Sequence, residues 1–192
     1  MNVRSEIYLL RHAKSAPSPQ FVPQWDWPLS VEGHAQAERL ATRLAALQID
    51  AIISSPSRRT LESVRPFARA AGLDIEICAD LREAEGIKIW VDDFPAHVRH
   101  LWNDFDHQAE GLESHRQCQA RMVRALGTIA VDHAGKTLLC SSHGQAIALF
   151  LHSIDPAFGY DDWAAMKMPD LRKVVWDGDR FSYVRTVREA IR

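Results

Sequence analysis

Cysteine is scarce in this chain. Cys78, Cys118 and Cys140 are the three in 192 residues, too few and too scattered for a disulfide framework. No Cys-x-x-Cys pair is present, so the usual spacing of a thiolate zinc site is missing. Long apolar runs are missing too. Nothing approaches the ~20 residues that cross a bilayer, and the short run ahead of Arg11 ends too soon for a signal peptide. Neither sign of charge dominates: 23 Lys and Arg face 25 Asp and Glu, for a net charge of −2. That balance gives no reason to expect a nucleic acid or a membrane surface as partner, and the cytoplasm is the expected compartment. No internal repeat and no low-complexity tract interrupts the chain. An anionic ligand would therefore have to be attracted by a local cluster of cations, so the placement of the arginines matters.

With 46% hydrophobic and 25% charged residues, the chain has the composition and length of one soluble globular domain, 1–192. Residues 6–10 form an apolar run that predicts a buried strand ending at Arg11. A loop rich in Pro and Ser follows over 13–28. Ser30 is placed to cap a helix over 31–47. A strand is predicted over 51–54, a helix over 57–71 opened by Pro56 and closed by Gly72, and a third strand over 74–78. The less regular stretch of about 84–111 predicts a helical lid. A long helix over 113–131, a strand over 137–141 and a helix over 145–153 come next. Strands over 172–176 and 181–187 flank an Asp177-Gly178 turn suited to a hairpin. Alternation of strands and helices predicts a three-layer α/β/α sandwich around a mostly parallel sheet with an antiparallel edge.

Three predicted strands end in polar clusters: Arg11-His12, Ser54-Ser55-Pro56-Ser57-Arg58-Arg59, and Ser142-His143-Gly144. In an open parallel α/β sheet, ligands bind in the crevice beyond the carboxyl ends of the strands. Two of these segments also lead into helix N-termini, which favour anions. Two histidines and two or three arginines brought to one crevice suit a phosphate. Taken singly, each residue has a blander reading as a solvated or ion-paired group, and Arg58 and Arg59 could both be that. Their recurrence at successive strand ends is what the blander reading leaves unexplained.

These segments, with others in the same order, resemble the histidine phosphatase superfamily, which includes the cofactor-dependent phosphoglycerate mutases. Leu10-Arg11-His12-Ala13 resembles its Arg-His-Gly signature. Trp27-Pro28-Leu29-Ser30 with Gly33, Gln36 and Ala37 resembles its first helix start, and Ser54-Ser55-Pro56 through Arg59 its Ser-Pro-x-x-Arg segment. Leu81-Arg82-Glu83 resembles the Leu-x-Glu acid motif, Gly111, Glu113 and Ser114 the start of the long helix, and Ser142-His143-Gly144 the second-histidine motif. The resemblance implies a phosphoglycerate mutase-like fold and catalysis with no cofactor and no metal. It implies that His12 is the nucleophile, neutral and with its tautomer set by a fixed acceptor. Arg11 and Arg59 would grip the phosphoryl oxygens, a protonated His143 would complete the clamp, and Glu83 would act as general acid and base. Glu85 is the rival for that last role.

Departures from the pattern bear on the substrate. Ala13 stands in place of glycine, and Lys14 stands where mutases and many phosphatases carry glutamate, a feature similar to the phosphohistidine phosphatases. Ser18 falls where an asparagine often helps to hold phosphate. His97 and His100 share a helix face without an acidic or cysteine partner. Trp25, Trp27, Trp90 and Trp102 either line a pocket for an apolar leaving group or cover the core. The expected function is hydrolysis of a small phosphorylated substrate. A phosphoprotein (phosphohistidine) phosphatase, a mutase, and a phosphate-binding protein without catalysis are the alternatives. No residue pattern specifies an oligomeric state.

Overall fold

The computed structural model describes residues 4–17, 27–84, 93–109 and 111–185. Six strands form one sheet in the order β3-β2-β4-β1-β5-β6. They are β1 (Ser5–Arg11), β2 (Ala51–Ser54), β3 (Ile75–Ile77), β4 (Thr137–Ser142), β5 (Asp170–Trp176) and β6 (Phe181–Val184). The first four run parallel, whereas β5 pairs antiparallel with β1 and β6 antiparallel with β5.

Alternation along the strands builds two cores. Ile7 and Leu9 of β1, Ile53 of β2 and Leu138 and Cys140 of β4 face one side, where they join Met122, Leu126, Ile147 and Phe150. Tyr8, Leu10, Ile52 and Leu139 face the other, with Leu40, Leu44, Val64 and Phe67. Successive side chains on a strand point to opposite faces, so runs that are apolar throughout require a cover on both. Helices α1 (Val31–Leu44) and α2 (Arg58–Ala71) supply one cover, and α4 (His115–Asp132) and α5 (Gly144–Ile154) the other. The three-layer sandwich is as expected. Among the described residues, no helix is long and apolar enough to cross a membrane.

Most element boundaries move by one or two residues, the usual uncertainty at frayed ends; β6 ends at Val184 where the expected strand ran to 187, and residues 186 and 187 lie outside the described residues. The first helix gives way to a 3₁₀ turn at Ala45–Leu47. Its start is held as predicted, Ser30 Oγ accepting from the Gly33 amide at 3.0 Å. Helix α4 opens on a full capping box, with Ser114 and Gln117 each accepting from the other's backbone amide.

The stretch predicted as a lid contains one described helix, α3 (Phe94–Asn103), capped by Asp93. Its residues Val98 and Leu101 are buried, and Trp102 packs against the same core. A short helix that the sequence reading did not anticipate, α6 (Tyr160–Ala164), lies against it. The Tyr160 hydroxyl donates to the Pro95 carbonyl at 3.2 Å, and Arg99 stacks over the Tyr160 ring at 4.0 Å. Residues 85–92 and 110 lie outside the described residues, as do Ser18, Trp25, Glu85 and Trp90.

Candidate active site

Strands β2, β4 and β1 are neighbours in the sheet, so their carboxyl ends open side by side. Pairing continues past the strands: the His12 amide donates to the Ser142 carbonyl at 3.2 Å, and the Ser55 amide to the Ser141 carbonyl at 2.9 Å. Each polar cluster is thereby fixed next to the following one.

Arg59, on the first turn of α2, reaches across this junction. Its Nε donates to His12 Nε2 at 3.2 Å, and its Nη2 donates to His143 Nδ1 at 2.9 Å. The two imidazoles lie edge to face with centroids 5.4 Å apart. A guanidinium only donates, so both of those ring nitrogens present lone pairs. The opposite nitrogens complete the assignment: His12 Nδ1 donates to the Ala13 carbonyl at 2.7 Å, and His143 Nε2 to Ser55 Oγ at 2.9 Å. The Ala13 carbonyl is thus a fixed acceptor that selects the tautomer of His12, leaving the Nε2 lone pair turned to Arg59.

The electrostatics follow from burial. His12 is pushed down from 6.5 to about 3, first by desolvation and then by the charge of Arg59, with the Ala13 hydrogen bond and Arg11 as smaller, opposed influences. His143 has no exposed surface and is held well below its ordinary value by desolvation first and by Arg59 next. In the unliganded site burial and the Arg59 charge thus disfavour the imidazolium at both histidines, and Arg59 donates to a lone pair of each ring. Burial lowers Arg59 to about 10 and also lowers Arg11, while the Glu83 carboxylate pulls both back up. Both guanidiniums stay charged at neutral pH.

Arg11 donates through Nη1 to the Met166 carbonyl at 2.9 Å, and its Nε is buried with no acceptor. An orphaned buried donor is rare and calls for an explanation. Gly144 makes room for this side chain: a Cβ there would lie 2.9 Å from Arg11 Nε and 3.0 Å from Cζ. Gly33 is required for a similar reason, since a Cβ would meet the Lys14 carbonyl oxygen at 2.0 Å. Ala13, by contrast, is fully buried without trouble, so the small methyl in the signature is tolerated. Its amide donates to Ser63 Oγ at 2.9 Å.

Glu83 arrives from the end of β3 through a 3₁₀ turn, Ala79–Leu81. Its Oε1 accepts from the Ala146 amide in the first turn of α5 at 3.0 Å, which places the carboxylate at the helix end that begins with His143 and Gly144. Arg58 takes the bland role foreseen for it: it is exposed and pairs with Glu62 at 2.8 Å. Trp27 lies against the clamp, with the Arg59 guanidinium 5.9 Å from its ring centroid. Trp102 is part of the core cover. Of the helix histidines, His100 packs against His107, with centroids 4.9 Å apart. Among the described residues, no three His, Cys, Asp or Glu side chains gather as metal ligands do.

A buried group that the sequence reading missed is Arg121 on α4. It is 4% exposed and paired with Glu113 through Nε at 2.7 Å and Nη2 at 2.5 Å.

A profile of the histidine phosphatase superfamily (branch 1) matches residues 7–188. The chain belongs to that superfamily. Among the curated relatives of this chain is a protein of Shigella boydii named "Probable phosphoglycerate mutase GpmB", 31% identical over 173 residues, covering 85% of this chain and 79% of the relative. Bacillus stearothermophilus YhfR has a similar fold, with a TM-score of 0.79 at 23% identity, covering 98% of this chain and 100% of that one. A mycobacterial glucosyl-3-phosphoglycerate phosphatase superposes with a TM-score of 0.75 at 20% identity, over 94% of this chain and 97% of that one. The phosphoglycerate mutase-like fold expected from the sequence is thus the observed one.

Proposed function

We propose that this chain is a phosphatase that hydrolyses the phosphomonoester of a small metabolite through a transient phosphohistidine on His12. The observation that carries the reading is the single guanidinium of Arg59 joined to both His12 Nε2 and His143 Nδ1. With Arg11 beside it and a donor there unsatisfied, the crevice holds two fixed cations and two neutral imidazoles. A tetrahedral oxyanion supplies what that set lacks.

Catalysis follows from the geometry. The phosphoryl oxygens take over the guanidinium donors of Arg59 and Arg11, which frees the His12 lone pair to attack phosphorus in line. The Ala13 carbonyl holds the Nδ1 proton and stabilises the charge that grows on the ring. His143 enters neutral. The dianion brings negative charge beside it, which favours the imidazolium, so a proton is taken up with the substrate and the clamp gains its third cation. Glu83 protonates the leaving oxygen, then deprotonates the water that releases phosphate from His12. The clamp supplies the positive charge that a metal ion provides in other phosphoryl-transfer enzymes.

The mutase-named relatives favour a second reading, isomerisation of a phosphoglycerate. Incubation with 3-phosphoglycerate and with a panel of phosphomonoesters separates the two. Release of inorganic phosphate without isomer, undiminished by EDTA and abolished by His12→Ala with the melting temperature retained, is the expected result. Isomer in excess of phosphate would establish the mutase instead, and activity lost to EDTA would refute the metal-free clamp.

A further inference from the structure

The stretch leading into Glu83 is a 3₁₀ turn followed by extended backbone, a type of connection that ordinarily leaves its carbonyls to water. Here four successive carbonyls are taken by side chains. Arg121 Nη1 donates to the Asp80 carbonyl at 2.5 Å and to the Arg82 carbonyl at 3.1 Å, and Arg121 Nη2 to the Glu83 carbonyl at 3.4 Å. Ser142 Oγ takes the one between, the Leu81 carbonyl, at 2.7 Å. Arg121 is in turn held by Glu113, whose Oε1 and Oε2 accept from Nε and Nη2 at 2.7 and 2.5 Å. The side chain is 4% exposed and that of Glu113 is 9% exposed. Arg82 adds a longer contact to the same carboxylate at 3.4 Å.

We propose that the buried Arg121–Glu113 pair is the positioning element of the catalytic acid: it fixes the backbone of residues 80–83 so that the Glu83 carboxyl group stands over the leaving oxygen. The inference rests on the role assigned to Glu83 above. The Glu83 carboxylate is fixed at its far end by the Ala146 amide, and only a fixed backbone at its near end leaves the side chain one position. Ser142 belongs to the segment that carries His143, so the same brace ties the acid to the phosphate clamp. A guanidinium suits this task because its planar fork serves a carboxylate and several carbonyls at once, which an ammonium cannot do. A misplaced proton donor is costly, since proton transfer demands hydrogen-bond reach and contributes about 10²–10⁴-fold.

The test exploits the leaving group. An activated aryl phosphate departs without protonation, whereas an alkyl phosphate requires the acid. Arg121→Lys and Glu113→Gln are prepared, each alone and in a Glu83→Gln background, and turned over on 4-nitrophenyl phosphate and glycerol phosphate with melting temperatures recorded. Each single variant should lose about 10–100-fold in kcat on the alkyl ester and only a few-fold on the aryl ester. Neither should lose more once Glu83 is Gln. Equal losses on the two esters, a further loss in the Glu83→Gln background, or unfolding of both variants would make the pair merely structural and overturn the proposal. A wild-type chain inert on both esters, or an unchanged leaving-group preference in Glu83→Gln alone, would overturn the acid assignment itself, and the positioning role with it.

Discussion

Two arginines in this protein are buried to the same extent, and they are solvated in opposite ways. Arg59 and Arg121 are each 4% exposed. Arg121 meets a carboxylate and three carbonyls, and its pKa is raised: burial acts to lower it, and the Glu113 hydrogen bond leads the influences that outweigh burial. Arg59 meets two neutral imidazoles, and its pKa falls to about 10 under desolvation. A buried charge is expensive unless it is paired. The first guanidinium is held by a carboxylate and backbone oxygens, and the second by the imidazoles on which the proposed phosphoryl transfer depends.

The comparison breaks most visibly at the brace. Arg121→Met leaves the buried Glu113 with only the longer contact to Arg82, and chemical denaturation should show a loss of about 3–5 kcal/mol. Adding Glu113→Leu should restore the part due to the orphaned carboxylate, since an apolar pair often replaces a buried ion pair at little cost, and leave the part due to the freed carbonyls of Asp80, Arg82 and Glu83. At the clamp the larger effect is on activity. Arg59→Met should lower kcat/KM by about 10²–10³-fold, the loss typical for one transition-state donor, as read from steady-state turnover of a phosphomonoester.

The histidines sharpen the contrast through pH. His12 falls to about 3 and His115 to about 4 from an ordinary 6.5, both chiefly through burial, and His143 falls as well. A histidine depressed in the folded state binds its proton more readily when unfolded, so stability is lost as pH drops from about 6.5 toward those lower values. Each group contributes up to ~1.4 kcal/mol per pH unit. Saturating inorganic phosphate should flatten the share due to His12 and His143 and leave that of His115, as read from thermal melts between pH 7 and pH 4. Smallest of all, Arg58→Ala removes an exposed helical pair with Glu62 and should change stability by less than about 0.5 kcal/mol in chemical denaturation.

The clamp was legible in the sequence because chemistry at strand ends leaves local marks. Arg11-His12 and Ser142-His143-Gly144 each close an apolar run, and the topology does the rest. Which of two consecutive arginines turns inward was legible only by resemblance, since a helix start presents both to the same crevice. The protonation of His143 was not legible, because it depends on how completely the fold covers the ring. Arg121 left a fainter signal. Its helix is buried at His115, Cys118, Met122, Ala125 and Ile129, and Arg121 falls on that same face. An arginine on an apolar stripe demands a buried carboxylate, and Glu113 at the head of the helix was available to answer. The helix α6 lacked any signal of comparable strength, being a five-residue element whose place is set by contacts with α3.

The central claim is that His12 carries the phosphoryl group, and it is tested most directly by quenching the enzyme in alkali during turnover of a ³²P-labelled phosphomonoester and mapping the bound label. The account predicts acid-labile, alkali-stable phosphate on the peptide containing His12, formed and lost at rates compatible with turnover and missing in His12→Ala. Steady release of phosphate by an enzyme that never carries label at His12 would contradict it.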